Sequence, residues 1–229
     1  MRVASYNAHG LRDSVPALVR VITALRADVL CLQEAPRSYG WRAGRARLAA
    51  SAGLRVATPG RRGGVAVFTA PRVGVLHAEH HVLRPFLALE RRALAIAVVE
   101  AEGTRLAVGS LHLDLHEPAR LHHAAEAMAL IEGVARRFRA TAVLGGDINE
   151  QPHQPAWRFL AGRLADCHAA ASMGDGLTFP ARRPAARIDG VFAAREARVV
   201  SCGGADAPMA DLTEASDHLP VVAELRVGV

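Results

Sequence analysis

The sequence predicts an α/β protein in which mixed β-sheets are covered by helices. Two observations carry this. Some apolar segments come as neighbours across a tight turn, as 93–101 and 105–113 do around Glu102-Gly103, whereas others are separated by helical patterns, as 105–113 and 141–144 are by 117–139. The first arrangement makes antiparallel pairs and the second parallel ones, so a chain that uses both builds mixed sheets. A third observation concerns size: 229 residues, 51% hydrophobic, suffice for one substantial core, and a single domain over 1–229 is expected.

In order, 2–6 alternates weakly and ends at Asn7-Ala8-His9-Gly10, a strand running into a loop. Ser14 is a good helix cap and Pro16 suits a first turn, which predicts a helix to about Arg26. The continuous apolar run 29–32 is a strand closed by Gln33-Glu34, and 43–52 is a short helix. Gly63-Gly64 opens a strand over 65–69, with 73–76 expected to pair with it as a hairpin. The strand 105–113 ends in Ser110-Leu111-His112-Leu113-Asp114, and 117–139 is the longest helical pattern, with Pro118 near its start. The run 141–144 reads as a buried strand, after which Gly145-Gly146 is expected to turn the backbone sharply. Strand-like segments follow at 188–193, 197–201 and 221–227.

No apolar run reaches the roughly 18 residues that span a bilayer, and the polar start Met1-Arg2-Val3-Ala4-Ser5-Tyr6-Asn7 does not read as a signal peptide. Cys31, Cys167 and Cys202 form no metal-type spacing and are odd in number, which suits inert thiols in a reducing compartment. A cytoplasmic monomer is expected. All 28 basic residues are arginine, a feature of base composition rather than of site chemistry. The net charge of +6 and pI near 10.4 favour polyanionic partners without choosing among nucleic acid, lipid headgroup and small phosphate ester.

Chemistry gathers where strands end. The polar clusters are Asn7, Gln33-Glu34, His112 with Asp114, Asp147 with Asn149, Arg187-Ile188-Asp189, and Ser216-Asp217-His218-Leu219-Pro220. In an extended segment residues i and i+2 face the same side, so Asp147 and Asn149 are expected to address one ligand together. The plainer reading, an Asx turn after a strand, stands beside that one. No nucleophilic serine or cysteine stands out. A set rich in oxygen ligands suits Mg²⁺ or Mn²⁺ rather than zinc. Such an ion, with a phosphate completing its shell, polarises phosphorus and offsets the charge of the leaving oxygen.

The ordered motifs Ser5-Tyr6-Asn7, Leu32-Gln33-Glu34, Gly63-Gly64-Val65-Ala66-Val67, His112-Leu113-Asp114, Gly146-Asp147-Ile148-Asn149, Arg187-Ile188-Asp189 and Ser216-Asp217-His218-Leu219-Pro220 cover nearly the whole chain. They resemble those of the Mg²⁺-dependent endonuclease/exonuclease/phosphatase superfamily, which includes DNase I, exonuclease III-type abasic endonucleases, sphingomyelinases and inositol polyphosphate 5-phosphatases. The resemblance implies a four-layer sandwich of two mixed sheets face to face with helices outside. It also implies Glu34 as the principal metal carboxylate, supported by Asn7 and Asp217. Asp147 would orient or deprotonate the attacking water, Asn149 would lie beside it on the phosphate, and His218 would contact the scissile phosphate. Asp189 would hold that imidazole charged and aimed, as a neighbouring anion does for any histidine. His112 matches the histidine that DNase I and the lipid-directed branches use as a second phosphate ligand or acid.

The implied activity is a metal-dependent phosphodiesterase, nuclease-like. The alternative is a phosphodiesterase or phosphatase acting on a small molecule or a phospholipid headgroup. A silent binding protein of the same fold ranks lower, because no metal carboxylate and no member of the Asp–His pair is missing. The abasic endonucleases carry Tyr-x-Pro-Asn where this chain has His112-Leu113-Asp114, which argues against that repair activity.

Other residues have plainer readings. Arg37, three after Glu34, is a candidate phosphate contact or a solvated arginine. Asp114 and Arg187 are further substrate candidates, Arg187 alternatively bracing its strand, and Arg182-Arg183 is another candidate phosphate contact. The doublets His80-His81 and His122-His123 read as solvated surface. The segment 79–92, with its charges and Phe86, could form a substrate lip. Cys31 reads as core; Trp41 and Trp157 are candidate stacking platforms for bases, with core packing the preferred reading for Trp157.

Overall fold

In the computed structural model, which describes residues 1–227, the chain begins with strand β1 (Arg2–Asn7), helix α1 (Val15–Ala24), β2 (Val29–Gln33), α2 (Trp41–Ser51), β3 (Arg55–Val56), β4 (Ala66–Thr69) and β5 (Gly74–Val82). It continues through β6 (Ala93–Ala101), β7 (Thr104–His112), α3 (Glu117–Phe138), β8 (Thr141–Asp147), α4 (Pro155–Arg163), β9 (Ala165–Asp166) and α5 (Cys167–Ala170). It closes with β10 (Ser172–Met173), β11 (Asp189–Ala193), β12 (Ala197–Gly203), α6 (Met209–Ala215) and β13 (Val221–Val227). Residues 228–229 of the expected domain lie outside the described residues.

The strands form two mixed sheets of order β10-β12-β13-β1-β2-β4-β3 and β5-β6-β7-β8-β11-β9. The sheets face each other, β1 and β2 lying against β8 and β7. Helices α1 and α6 pack together on the first sheet's side, and α3 and α4 cover the second. The result is the expected four-layer sandwich. Both faces of β6 are buried from Ala93 to Val99, which is why that strand reads as a continuous apolar run rather than an alternating one. Each large side chain buried in this way contributes about 1.5–3 kcal/mol. Among the described residues no helix is long and apolar enough to cross a membrane.

The topology decides where the polar residues go. β1 runs parallel to β2, bringing Asn7 level with Gln33, and β7 runs parallel to β8, bringing His112 level with Asp147. β11 runs antiparallel to β8 and starts at that edge, with Asp189 level with Asp147. β13 runs antiparallel to β1, so the loop 216–220 that precedes it lies at the same edge. The carboxyl ends of the parallel strands and the starts of the antiparallel ones thus share one rim, as open α/β sheets generally arrange their ligand sites.

Several expectations are corrected. The strand expected at 141–144 runs on to Asp147, so Gly145 and Gly146 are strand residues and not a turn. Their lack of a side chain serves close packing: a Cβ on Gly145 would fall 2.9 Å from Cys31 Sγ in the facing sheet, and one on Gly146 2.4 Å from Leu111 O. The segment 73–76 does not pair with β4. It opens the longer β5, which pairs with β6 in the other sheet and takes in residues 79–82 of the expected lip. The short elements β3, β9, β10, α5 and α6 had no clear periodicity to announce them. His123 is buried, with Nε2 2.8 Å from Arg84 O, so only His122 of that doublet is solvated.

Two buried polar groups brace the rim from below. Gln33 is fully buried, its Nε2 donating to Ser110 Oγ (3.1 Å) on the other sheet, so it ties the layers together and does not face the rim. Glu150 pairs with Arg120 at 2.8 Å and accepts from Ala156 N (2.7 Å) and Trp157 N (3.2 Å), which caps α4 and fixes the turn after Asn149.

Candidate active site

Asp147, at the end of β8 and 1% exposed, is the centre of the site. Its Oδ2 accepts a hydrogen bond from Asn7 Nδ2 at 2.9 Å and lies 3.4 Å from His112 Nε2 and 3.7 Å from His218 Nε2. Its Oδ1 accepts from Asn149 N at 3.0 Å. Asn149 stands at φ +55°, outside the strand, so the i, i+2 argument for a shared face fails and the Asx turn takes its place. The two residues are still held together, because Asn149 Nδ2 donates to Leu113 O at 3.0 Å and keeps the amide at the rim.

The two histidines differ in charge. Burial disfavours the His218 imidazolium, but Asp189 beside it, with Oδ2 2.9 Å from Nδ1, outweighs burial and lifts it to about 9. Burial pushes His112 down to about 4; Asp147 resists that and Arg92 adds to it. Near neutral pH the site therefore holds one charged imidazole and one neutral one. Burial, helped by the nearby Asp189, raises Asp147 above the ordinary carboxylate range. Phe179 lies against the His218 ring at 4.8 Å between centroids. Thr178 Oγ1 accepts from Asp189 N at 3.2 Å, and Ser216 Oγ donates to Asn7 O at 2.7 Å while accepting from His218 N at 3.2 Å. Thr178 and Ser216 were missed from sequence, although the serine lies in the motif that carries His218.

Glu34 follows β2 at φ +50°, with Oε1 3.4 Å from Asn7 Nδ2. Its bend is permitted by Gly64 at φ +63°: a Cβ there would fall 3.3 Å from Glu34 Cα, and Ala35 N donates to Gly64 O at 2.7 Å. Asp217 is half-exposed, with Oδ1 3.6 Å from His9 Nδ1. Glu34 lines a cleft of about 490 Å³ together with Arg12, Arg37, Glu90, Arg92 and His112. The walls on either side of Glu34 are held by Arg45, a fully buried guanidinium that donates to Pro36 O (2.9 Å), Gly60 O (2.9 Å) and Val65 O (3.2 Å) and lies over Trp41.

Other candidates fall outside this centre. Arg187 makes a two-pronged pair with Asp166 (3.0 and 2.8 Å) and lies over the Trp157 ring at 4.7 Å, which is the bracing role. Asp114 is buried; its Oδ1 accepts from His116 N at 2.9 Å, ahead of α3. Arg182 and Arg183 are exposed. The three cysteines are buried and free, Cys31 and Cys202 pushed up to about 12 by burial.

Two groupings could bear on a metal ion. Ligand atoms of Asp147, Asp189 and His218 lie within 4.8 Å of one another. Within it His218 Nδ1 is already engaged with Asp189 Oδ2 at 2.9 Å, and the imidazole would have to give up its proton to bind metal. Glu34, which lines the cleft, offers with Asn7 and Asp217 a set of oxygen donors half-exposed at its carboxylates, a donor chemistry that fits a hard divalent ion.

The chain resembles known structures over its full length. It covers 99% of itself and 99% of the mannosyl-6-phosphatase of Bacteroides thetaiotaomicron at TM-score 0.82 and 19% identity. It covers 100% of itself and 94% of the human Nocturnin catalytic domain, solved with a bound sulfate anion, at TM-score 0.74 and 17% identity. ANGEL2, a 2′,3′-cyclic phosphatase in complex with adenosine-2′,3′-vanadate, is matched at TM-score 0.78 and 18% identity, over 100% of this chain and 96% of that one. No curated protein matches the chain by sequence. The model of the Endonuclease/Exonuclease/phosphatase family matches residues 4–218, from within β1 to His218. Members of that family hydrolyse phosphoester bonds. With the match spanning every strand end that builds the rim, the chain belongs to the Endonuclease/Exonuclease/phosphatase family.

Proposed function

We propose that the chain is a metal-dependent phosphohydrolase, acting as a nuclease-like phosphodiesterase. The observation that carries the reading is the Asp147 carboxylate set among a charged imidazole at 3.7 Å, a neutral one at 3.4 Å and a carboxamide at 2.9 Å. Asp147, raised by burial, accepts a proton from the attacking water, a task best done by a base with pKa near the working pH. Charged His218 donates hydrogen bonds to the phosphoryl oxygens, and Asp189 keeps it charged and oriented. Neutral His112 serves as a hydrogen-bond ligand and not as the acid. Asn149 steadies the phosphate beside Asp147.

Glu34, Asn7 and Asp217 would hold Mg²⁺ or Mn²⁺, which when bound supplies Lewis acidity at phosphorus and neutralises the leaving oxygen. The match from 4 to 218 supports the one-domain reading, and three free buried cysteines support a cytoplasmic setting. A monomer is part of the same proposal. The second reading, a phosphatase or phosphodiesterase for small esters, is favoured by the mannosyl-6-phosphatase and the 2′,3′-cyclic phosphatase among the similar folds.

The experiment is hydrolysis of bis-p-nitrophenyl phosphate beside plasmid DNA, with Mg²⁺, Mn²⁺ or EDTA. EDTA-sensitive cleavage of both supports the nuclease-like reading, and cleavage of the small diester alone selects the second. Activity indifferent to EDTA would contradict the metal assignment.

A further inference from the structure

Arg92 precedes β6 on the floor of the cleft. Its side chain is 7% exposed, yet among the described residues its guanidinium makes no hydrogen bond. It forms only loose ion pairs, with Asp114 Oδ2 at 3.5 Å from Nε and Glu90 Oε2 at 3.7 Å from Nη1, and Nε is buried without a hydrogen-bond partner. Buried cations are ordinarily paired and hydrogen-bonded, because a desolvated donor left unmet is costly. In the same cleft His112 Nδ1 is also buried and unpartnered.

Across the cleft Arg37 pairs with Glu90 through Oε1, so the Glu90 carboxylate lies between the two guanidinium groups, with Oε2 toward Arg92. Glu90 is 42% exposed and belongs to the segment 83–92, outside any strand. A carboxylate of the chain itself therefore occupies the place between two arginines, and its contact with the buried one is loose.

We propose that Arg37 and Arg92 form a second anion subsite of the cleft, and that the substrate is a phosphate ester carrying a second anionic group, which displaces the Glu90 carboxylate. The proposal rests on the phosphohydrolase reading and adds a substrate class to it. A phosphate has more acceptor oxygens than a carboxylate and engages two guanidinium forks at once. Asp114 stays behind Arg92 and keeps the guanidinium in place. Arg92 enters the sequence analysis only as the last residue of the lip expected over 79–92, because it lies in no motif. Its partner Arg37 was singled out only for its distance from Glu34.

The test uses two chromogenic diesters, thymidine 5′-(p-nitrophenyl phosphate) and the same compound with a 3′-phosphate. The wild-type protein is expected to prefer the second by about 10–100-fold in kcat/KM, the range for hydrogen bonds to charged groups. Arg92→Met brings that ratio toward one. Glu90→Gln, an exposed change that removes the competing charge, raises it by lowering KM for the 3′-phosphorylated compound. Equal kcat/KM in the wild type, or a preference that survives in a folded Arg92→Met, overturns the proposal. Titration of inorganic pyrophosphate in EDTA reads the subsite without turnover. Weaker binding by Arg92→Met and tighter binding by Glu90→Gln are expected, and affinity unchanged in both variants contradicts the subsite even if the protein proves to be a hydrolase.

Discussion

Asp147→Ala is expected to lower kcat on a phosphodiester by about 10³–10⁴-fold, combining the loss of a positioned base with the misplacement of its neighbours. Asp147 is the one group that Asn7, Asn149 and both histidines approach. Removing it also leaves the Asn7 amide without its 2.9 Å acceptor. Burial and Asp189 already disfavour the ionised carboxylate, so the lost charge costs the fold little, and the unmet Asn7 amide sets the expected destabilisation at about 1–3 kcal/mol. Initial rates alongside a melting curve check both halves; a folded variant within tenfold of wild-type kcat would contradict the assigned role.

The second large effect is a shift in pH dependence. Asp189→Asn keeps the shape of the group but removes the charge that offsets burial of His218. Burial is then opposed only by the weaker pull of Asp147 and Asp217, and the imidazole pKa falls from about 9 toward its ordinary value of 6.5. The alkaline limb of log kcat is expected to move from near pH 9 toward pH 7, with a loss of about 10–30-fold at pH 8 that narrows toward pH 6. The same pair bears on stability. A histidine raised on folding contributes stability that is complete below about pH 6.5 and is lost as pH rises through about 9, so the variant loses most in the lower range. A full pH–rate profile distinguishes this from simple damage, because damage lowers the curve without moving the limb.

Much of the rim was legible because each rim residue ends a strand or opens one. Asn7, Glu34, His112, Asp147 and Asp189 are where apolar runs stop or start, and a parallel or antiparallel neighbour delivers them to one edge. What lay hidden depends on which way a side chain faces at a known position. Gln33 and Glu34 are adjacent, yet one turns in to tie the sheets and the other out to the cleft. Gly145 and Gly146 look like a turn until their neighbours are in place: Cys31 of the facing sheet crowds the first, and Leu111 of the adjacent strand the second. Arg45 and Arg92 were indistinguishable in a chain whose 28 basic residues are all arginine, until packing buried one against three carbonyls and left the other unbonded in the cleft. Strand β5 extends past the expected 73–76 because its backbone pairing with β6, and not an apolar pattern, holds His77, Glu79 and His81 in the strand.

The most direct measurement compares Asp147→Ala, His218→Ala and the double variant, each checked for folding, on bis-p-nitrophenyl phosphate with Mg²⁺. If the carboxylate and the imidazolium act on one phosphate as a unit, the double variant loses about as much as the worse single variant rather than the product of both losses. A folded double variant that keeps full activity would contradict the account.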